Sequence, residues 1–246
     1  MAGQYTKYYK GRGIVLSTLK YGDSSLIVYM LTDVGGRRTF MVQGLGKGKG
    51  RSSKLALFQP IFPLEFEGME STKLQMHRFR EVHSALALRS IPFDVRKSTV
   101  ALFMAEVIYR LVRECEAHDP LFEFIWHSIE ALDRMEEGVA DFHLWFMTQL
   151  TRFLGFCPGN DYTEGAWFDI REGLYRSTKP NHPTFMSREQ SFLLDQLLRH
   201  DVDILGHLGL NRSDRVDFLN AMLVYFGYHL EAIGSVQSVR ILSEVF

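Results

Sequence analysis

The sequence predicts an α+β chain in which a small β-barrel precedes a helical domain. Three observations lead there: short apolar segments separated by turn signals fill the first third, the apolar spacing changes from strand-like to helical after about residue 95, and the charge changes sign along the chain. Residues 1–80 hold 13 Lys and Arg against 5 Asp and Glu, a net +8, and residues 81–246 hold 15 against 24, a net −9. A basic part joined to an acidic one points to two domains, 1–80 and 81–246, with different partners.

The predicted strands come first. Arg12–Tyr21, Leu26–Leu31 and Arg37–Leu45 are rich in Ile, Val, Leu, Thr and Tyr, and are parted by Gly22-Asp23 and Asp33-Val34-Gly35-Gly36. In the third, Phe40 and Val42 alternate with Thr39, Met41 and Gln43, the pattern of a half-buried strand. Leu64–Glu67 and Thr72–His77 are the fourth and fifth, and Pro60 and Pro63 keep the region before Leu64 off a central strand. Five strands in about 70 residues leave no room for crossover helices, so a closed barrel is expected rather than a parallel sheet.

Helices follow. In Ser98–Ala117 the residues Val100, Phe103, Met104, Val107, Ile108 and Leu111 share one face. Asp119-Pro120 reads as an N-cap followed by proline at the first helical position, and Phe122, Ile125, Ile129 and Leu132 continue the stripe to a stop near Gly138. A third helix carries Phe142, Phe146, Leu150 and Leu154 and stops at Gly155. Ser187 and Gln190 have capping-box spacing ahead of Leu193 and Leu197. The last long helix carries Val216, Leu219, Leu223, Phe226 and Leu230 and ends near Gly234. Residues 156–186 interrupt this series, with Trp167–Ile170 and Leu174–Arg176 as a small hairpin about Arg171-Glu172-Gly173.

Composition narrows the function. A hydrophobic content of 46% with 23% charged residues excludes wholesale disorder, and two cysteines, Cys115 and Cys157, exclude a disulfide framework. No apolar run approaches the roughly 18 residues of a membrane span, and the opening MAGQYTKYYK lacks a signal-peptide core, so the cytoplasm is the expected compartment. Catalytic words are missing: there is no HExxH, GxSxG or CxxC, and no two of the nine histidines stand at i, i+4. The chain is expected not to be an enzyme and to need no cofactor.

The strongest local feature lies between Asp33 and Glu65, where no acidic residue occurs and Arg37, Arg38, Lys47, Lys49, Arg51 and Lys54 do. Gly44 to Arg51 largely alternates glycine with cations, which suits close approach to phosphates. It is not a P-loop, since GxxxxGK[ST] is absent, and no ATP site is expected. Tyr21, beside a turn, is the best candidate for stacking on a base. The residues alone leave three readings open: a DNA-binding mediator, an RNA-binding barrel, and a hydrolase with a carboxylate site in the acidic domain.

The words Gly13-Ile14-Val15-Leu16, Tyr21-Gly22-Asp23-Ser24-Ser25-Leu26-Ile27-Val28, Thr32, Gly35-Gly36, Val42-Gln43-Gly44 and Gln59-Pro60 resemble the RecO family of recombinational DNA-repair mediators. The run from Phe146 to Leu154-Gly155-Phe156 is similar to the family's helix before its central excursion. The resemblance implies an oligonucleotide/oligosaccharide-binding (OB) barrel, binding of single- and double-stranded DNA, annealing of complementary strands, and help in loading the RecA recombinase. It implies RecR and the single-strand-binding protein as partners. The latter's acidic, apolar-ended tail would dock on a helical face near Arg110, Arg113 and Arg152. Many family members carry paired cysteines holding zinc in the excursion. Here only Cys157 stands near that place, before Pro158-Gly159-Asn160, so no metal is expected.

Overall fold

The computed structural model describes residues 8–44, 55–70, 76–112, 119–230, 233 and 236–246. The chain divides into two compact units, residues 1–89 with 104–130 and residues 90–103 with 131–246.

In the first unit β1 (Tyr8–Tyr21), β2 (Ser25–Thr32), β3 (Gly36–Val42), β4 (Pro63–Met69) and β5 (His77–Ser84) close into a barrel of order β1-β2-β3-β5-β4. Only the β3–β5 pairing is parallel. Strand β1 serves two neighbours, β4 through residues 8–14 and β2 through 13–21, and a register shift between Val15 and Ser17 bends it. Gly13 sits where both pairings meet, and a Cβ there would lie 2.3 Å from the Met30 side chain. The barrel is filled by Val15, Leu26, Val28, Met30, Phe40, Phe58, Leu64 and Phe66. Phe40 stacks on Phe79 at 4.3 Å and meets Phe66 edge-on at 5.1 Å, which seats it in the core as the alternation predicts.

Two strands differ from expectation. β1 begins at Tyr8 rather than Arg12, because its first half pairs with β4 rather than β2. The fifth strand runs over His77–Ser84 rather than Thr72–His77, of which residues 72–75 lie outside the described residues. Its apolar period is broken: Phe79 and Val82 both pack on the core, and the register shifts opposite Glu67 and Gly68, so that Arg80 and Glu81 are exposed in succession.

Helices α1 (Val95–Leu111) and α2 (Asp119–Arg134) supply residues 104–111 and 119–130 to this first unit. Arg12 of β1 ties α2 to the strands. Its guanidinium lies 5.2 Å from the Phe122 ring and 5.1 Å from that of Trp126, and pairs with Asp33 at 3.2 Å and with Glu123.

The second unit contains α3 (Phe142–Leu154), α4 (Arg188–Arg199), α5 (Arg212–His229) and α6 (Ser238–Val245), with a three-stranded sheet of β6 (Trp167–Asp169), β7 (Leu174–Arg176) and β8 (Phe185–Met186) in the order β7-β6-β8. α3 stops at Gly155, whose φ of 83° is the left-handed cap that glycine adopts without strain. α4 opens with the predicted capping box between Ser187 and Gln190. The predicted hairpin is present as β6 and β7, and β8 extends it.

The C-terminal helices differ from the sequence reading. α5 ends at His229 rather than near Gly234, and the short α6 was not expected. The buried stripe of α5 is Phe218, Leu219, Met222, Tyr225 and Phe226, whereas Val216, Leu223 and Leu230 are only half-buried. Apolar residues surround this helix on most sides, so spacing alone does not single out the inner face. Among the described residues no helix is long and apolar enough to cross a membrane.

Candidate nucleic-acid interface

Barrels of this strand order bind oligonucleotides on the face of strands 2 and 3 and on the loops joining strands 1–2 and 4–5. Here Ile27, Tyr29 and Leu31 of β2 register with Met41, Thr39 and Arg37 of β3 on the side opposite the barrel core. One end of that face is covered within the first unit. The Tyr109 ring of α1 packs against Tyr29 at 5.3 Å, and the Arg37 guanidinium lies 5.0 Å from the same ring. Arg37 also donates to the Tyr109 carbonyl oxygen at 3.0 Å. That carbonyl belongs to the last turn of α1, where the final acceptors lack intrahelical donors, so Arg37 caps the helix.

Arg38 faces the opposite way, towards the barrel mouth, as alternation along a strand requires. Its guanidinium stacks on the Tyr9 ring at 4.7 Å and donates to the Val34 carbonyl oxygen at 3.1 Å. The Tyr9 hydroxyl lies 2.8 Å from His77 Nδ1. Burial raises the Tyr9 pKa, and burial together with the Arg38 charge lowers that of His77, so His77 stays neutral at pH 7. The ring and the Val34 carbonyl oxygen hold the guanidinium fork in place.

The tip of the β1–β2 hairpin carries Tyr21, 55% exposed beside Gly22, and Leu19, 54% exposed. Lys20 lies between them, also exposed. Arg78 is the second residue of β5, in parallel register with Met41 of β3. It is exposed and makes no ion pair among the described residues. Neither Lys20 nor Arg78 was singled out from sequence. The apolar spacing puts the fifth strand at Thr72–His77, which stops short of Arg78. Lys47, Lys49, Arg51 and Lys54 lie outside the described residues.

The opposite side of the barrel has another character. A recess of about 390 Å³ between β1, β4 and β5 is lined by Glu65, Glu67 and Glu81 with Lys10, Arg12 and His83. Glu67 pairs with Arg80 at 3.0 Å and Glu65 meets His83 at 3.0 Å. Its carboxylates disfavour a phosphate backbone, which leaves the cations outside the recess, Lys20 at the hairpin tip, Arg38 and Arg78, as the candidate phosphate contacts.

The arginines expected at a partner site have local roles. Arg110, in the first unit, pairs with Glu106 one turn earlier at 2.8 Å. Arg152, in the second, donates to the Leu198 carbonyl oxygen. Arg113 lies outside the described residues, as does Cys115.

The excursion does not fit a zinc ion. Cys157 is exposed. Both His182 ring nitrogens are engaged, Nδ1 accepting from the Thr184 amide at 3.2 Å and Nε2 meeting Asp169 Oδ2 at 3.1 Å. The other Asp169 oxygen accepts from the amides of Arg171 and Glu172 at 2.9 and 3.3 Å. Among the described residues no group of three or more His, Cys, Asp or Glu is arranged to hold a metal.

Comparison with known proteins agrees with this architecture. The family described as Recombination protein O N terminal matches residues 6–85, and that described as Recombination protein O C terminal matches residues 92–235. The chain is 37% identical to the DNA repair protein RecO of Bacteroides fragilis over 236 residues, 95% of this chain and 97% of the relative. It is 34% identical to that of Phocaeicola vulgatus over 235 residues, with the same shares covered. Its identity to that of Flavobacterium psychrophilum is 32% over 238 residues, 96% of this chain and 98% of the relative. Barrel and helical region are thus both matched, and the chain belongs to the RecO family of DNA repair proteins.

Proposed function

We propose that this chain is a non-enzymatic DNA-binding mediator that anneals complementary strands and helps load the RecA recombinase onto single strands coated by single-strand-binding protein. RecR and the single-strand-binding protein are its proposed partners, and the cytoplasm its compartment. The observation that carries the reading is the five-stranded barrel that keeps cations clear of its carboxylate-lined recess: Lys20 beside the exposed Tyr21, Arg38 and Arg78. In sequence the acid-free stretch adds Lys47, Lys49, Arg51 and Lys54. Cations neutralise phosphates and an exposed tyrosine offers a stacking face, which together suit a strand bound without regard to sequence. Arg37, occupied by the end of α1, is expected to contribute least.

The test is a salt titration of single-strand binding by the full chain and by a Lys47→Glu, Lys49→Glu, Arg51→Glu variant. The variant should bind all sequences more weakly, and the slope of log affinity against log salt should fall by about 0.7 per lost contact. Unchanged affinity and slope would move the site off this loop. Annealing of complementary strands already coated by single-strand-binding protein tests the mediator role. Competition with RNA of the same sequence tests the RNA-binding alternative. For the acidic tail, a labelled tail peptide is titrated against full-length Arg110→Glu, Arg113→Glu and, separately, Arg152→Glu. Binding that ignores both variants removes these arginines from the dock.

A further inference from the structure

The small sheet of the second unit has one face in the core and one partly open to solvent, and the open face is unusual. Phe168, Tyr175 and Met186 register across β6, β7 and β8 and are buried. The alternate positions, Trp167 with Arg176 and Asp169 with Leu174 and Phe185, share the other face. Trp167 and Phe185 meet edge-to-face at 5.2 Å there, and both are partly exposed. Lys179 Nζ lies 5.4 Å from the Trp167 ring and 5.2 Å from the Phe185 ring, and the Arg188 guanidinium lies 5.4 Å from Trp167. Neither cation has a carboxylate at ion-pair distance among the described residues. Two unpaired cations held over aromatic rings are out of keeping with a region whose net charge is −9.

We propose that the outward face of the β6–β7–β8 sheet is a second single-strand site, with Trp167 and Phe185 as the stacking platform and Lys179 and Arg188 as the phosphate contacts. The cations are pre-positioned by the rings, so little side-chain freedom is lost when a phosphate arrives. An aromatic pair on an open sheet face is a common way to receive unstacked bases. The neighbouring apolar groove of about 850 Å³, which Phe185 also lines, is bordered by Glu189, Asp214 and Asp217, and these confine a strand to the sheet face where the two cations lie. The proposal rests on the strand-annealing reading: a protein that pairs two strands gains from holding each at its own site.

The test uses the full-length chain and its Lys179→Glu, Arg188→Glu variant, with thermal unfolding to confirm that both fold. A trace labelled strand reports the barrel site, titration with excess strand reports the number of strands bound, and mixing of complementary strands reports annealing. The wild type should take two strands. The variant should take one, lose about two thirds of a unit of salt slope per missing contact, and anneal about tenfold more slowly. Its affinity for the trace strand should be nearly unchanged. A variant that still takes two strands and anneals normally overturns the proposal and leaves the barrel reading intact. Loss of binding of an acidic, apolar-ended peptide with strand number unchanged overturns it in favour of a peptide dock. A wild type that binds no strand overturns both readings.

Discussion

Arg37 and Arg38 are neighbours in sequence and have different occupations in the structure. Alternation along β3 separates them, and that much was legible in the sequence; that Tyr109, seventy-two residues away, would claim Arg37 was not, because only tertiary packing brings α1 to the strands. Arg12 was missed for the same reason, although it holds two acids and two rings at once. Arg12→Ala should destabilise the chain by about 1–3 kcal/mol, since it leaves Asp33 and Glu123 without their cation and uncovers Phe122 and Trp126. Urea unfolding measures this, and a change under about 0.5 kcal/mol, the size of an ordinary surface substitution, would refute it. His143 offers a second residue-scale test. It is 2% exposed, its Nδ1 has no hydrogen-bond partner among the described residues, and burial, aided by the Arg215 charge, pushes its pKa down to about 3. Arg215 is itself paired with Asp141 at 2.6 Å. The unfolded chain takes up this proton near pH 6.5 and the folded chain does not, so the group's contribution is full above pH 6.5 and is lost as pH falls towards 3. Relative to wild type, His143→Leu should gain about 2 kcal/mol between pH 7.5 and pH 5. A gap that stays constant with pH would show that His143 does not carry the dependence.

At the scale of elements, legibility followed how local the signal was. The Ser187–Gln190 box, the Gly155 stop and the β6–β7 hairpin are short-range patterns, and the structure has each of them. The fifth strand and the inner face of α5 depend on what packs against them, and spacing misplaced both. The capping box gives a clean test. Ser187→Ala removes the acceptor for the Gln190 amide and should cost about 1 kcal/mol by chemical denaturation, whereas Ser187→Asp should restore most of it. The excursion makes a related point. Its turn is closed by Asp169, which accepts two backbone amides and meets His182. Asp169→Asn should therefore loosen residues 167–186 in hydrogen exchange, and added zinc should not restore protection. Recovery with zinc would mean that the site takes a metal after all.

Across the whole molecule the dominant fact is the charge division, +8 in residues 1–80 against −9 in the rest, with a sum of only −1. A near-zero sum provides little mutual repulsion between copies, while the division allows the basic part of one copy to attract the acidic part of another. This reading was available from the sequence, since charge counts need no coordinates; which cations remain free for a ligand was not, because Arg12, Arg110 and Arg176 turn out to be paired. The attraction acts over a Debye length, about 30 Å at 0.01 M salt and about 8 Å at 0.15 M. The chain should therefore self-associate at about 0.01 M salt, and light scattering should show the particles dispersing as salt rises past about 0.15 M. A single-stranded oligonucleotide should disperse them at low salt as well, because it competes for the basic side. The Lys47→Glu, Lys49→Glu, Arg51→Glu variant lowers the positive pole by six charges and should stay dispersed throughout. Association that strengthens with salt would instead mark an apolar contact between copies, and the charge division would then have no part in it.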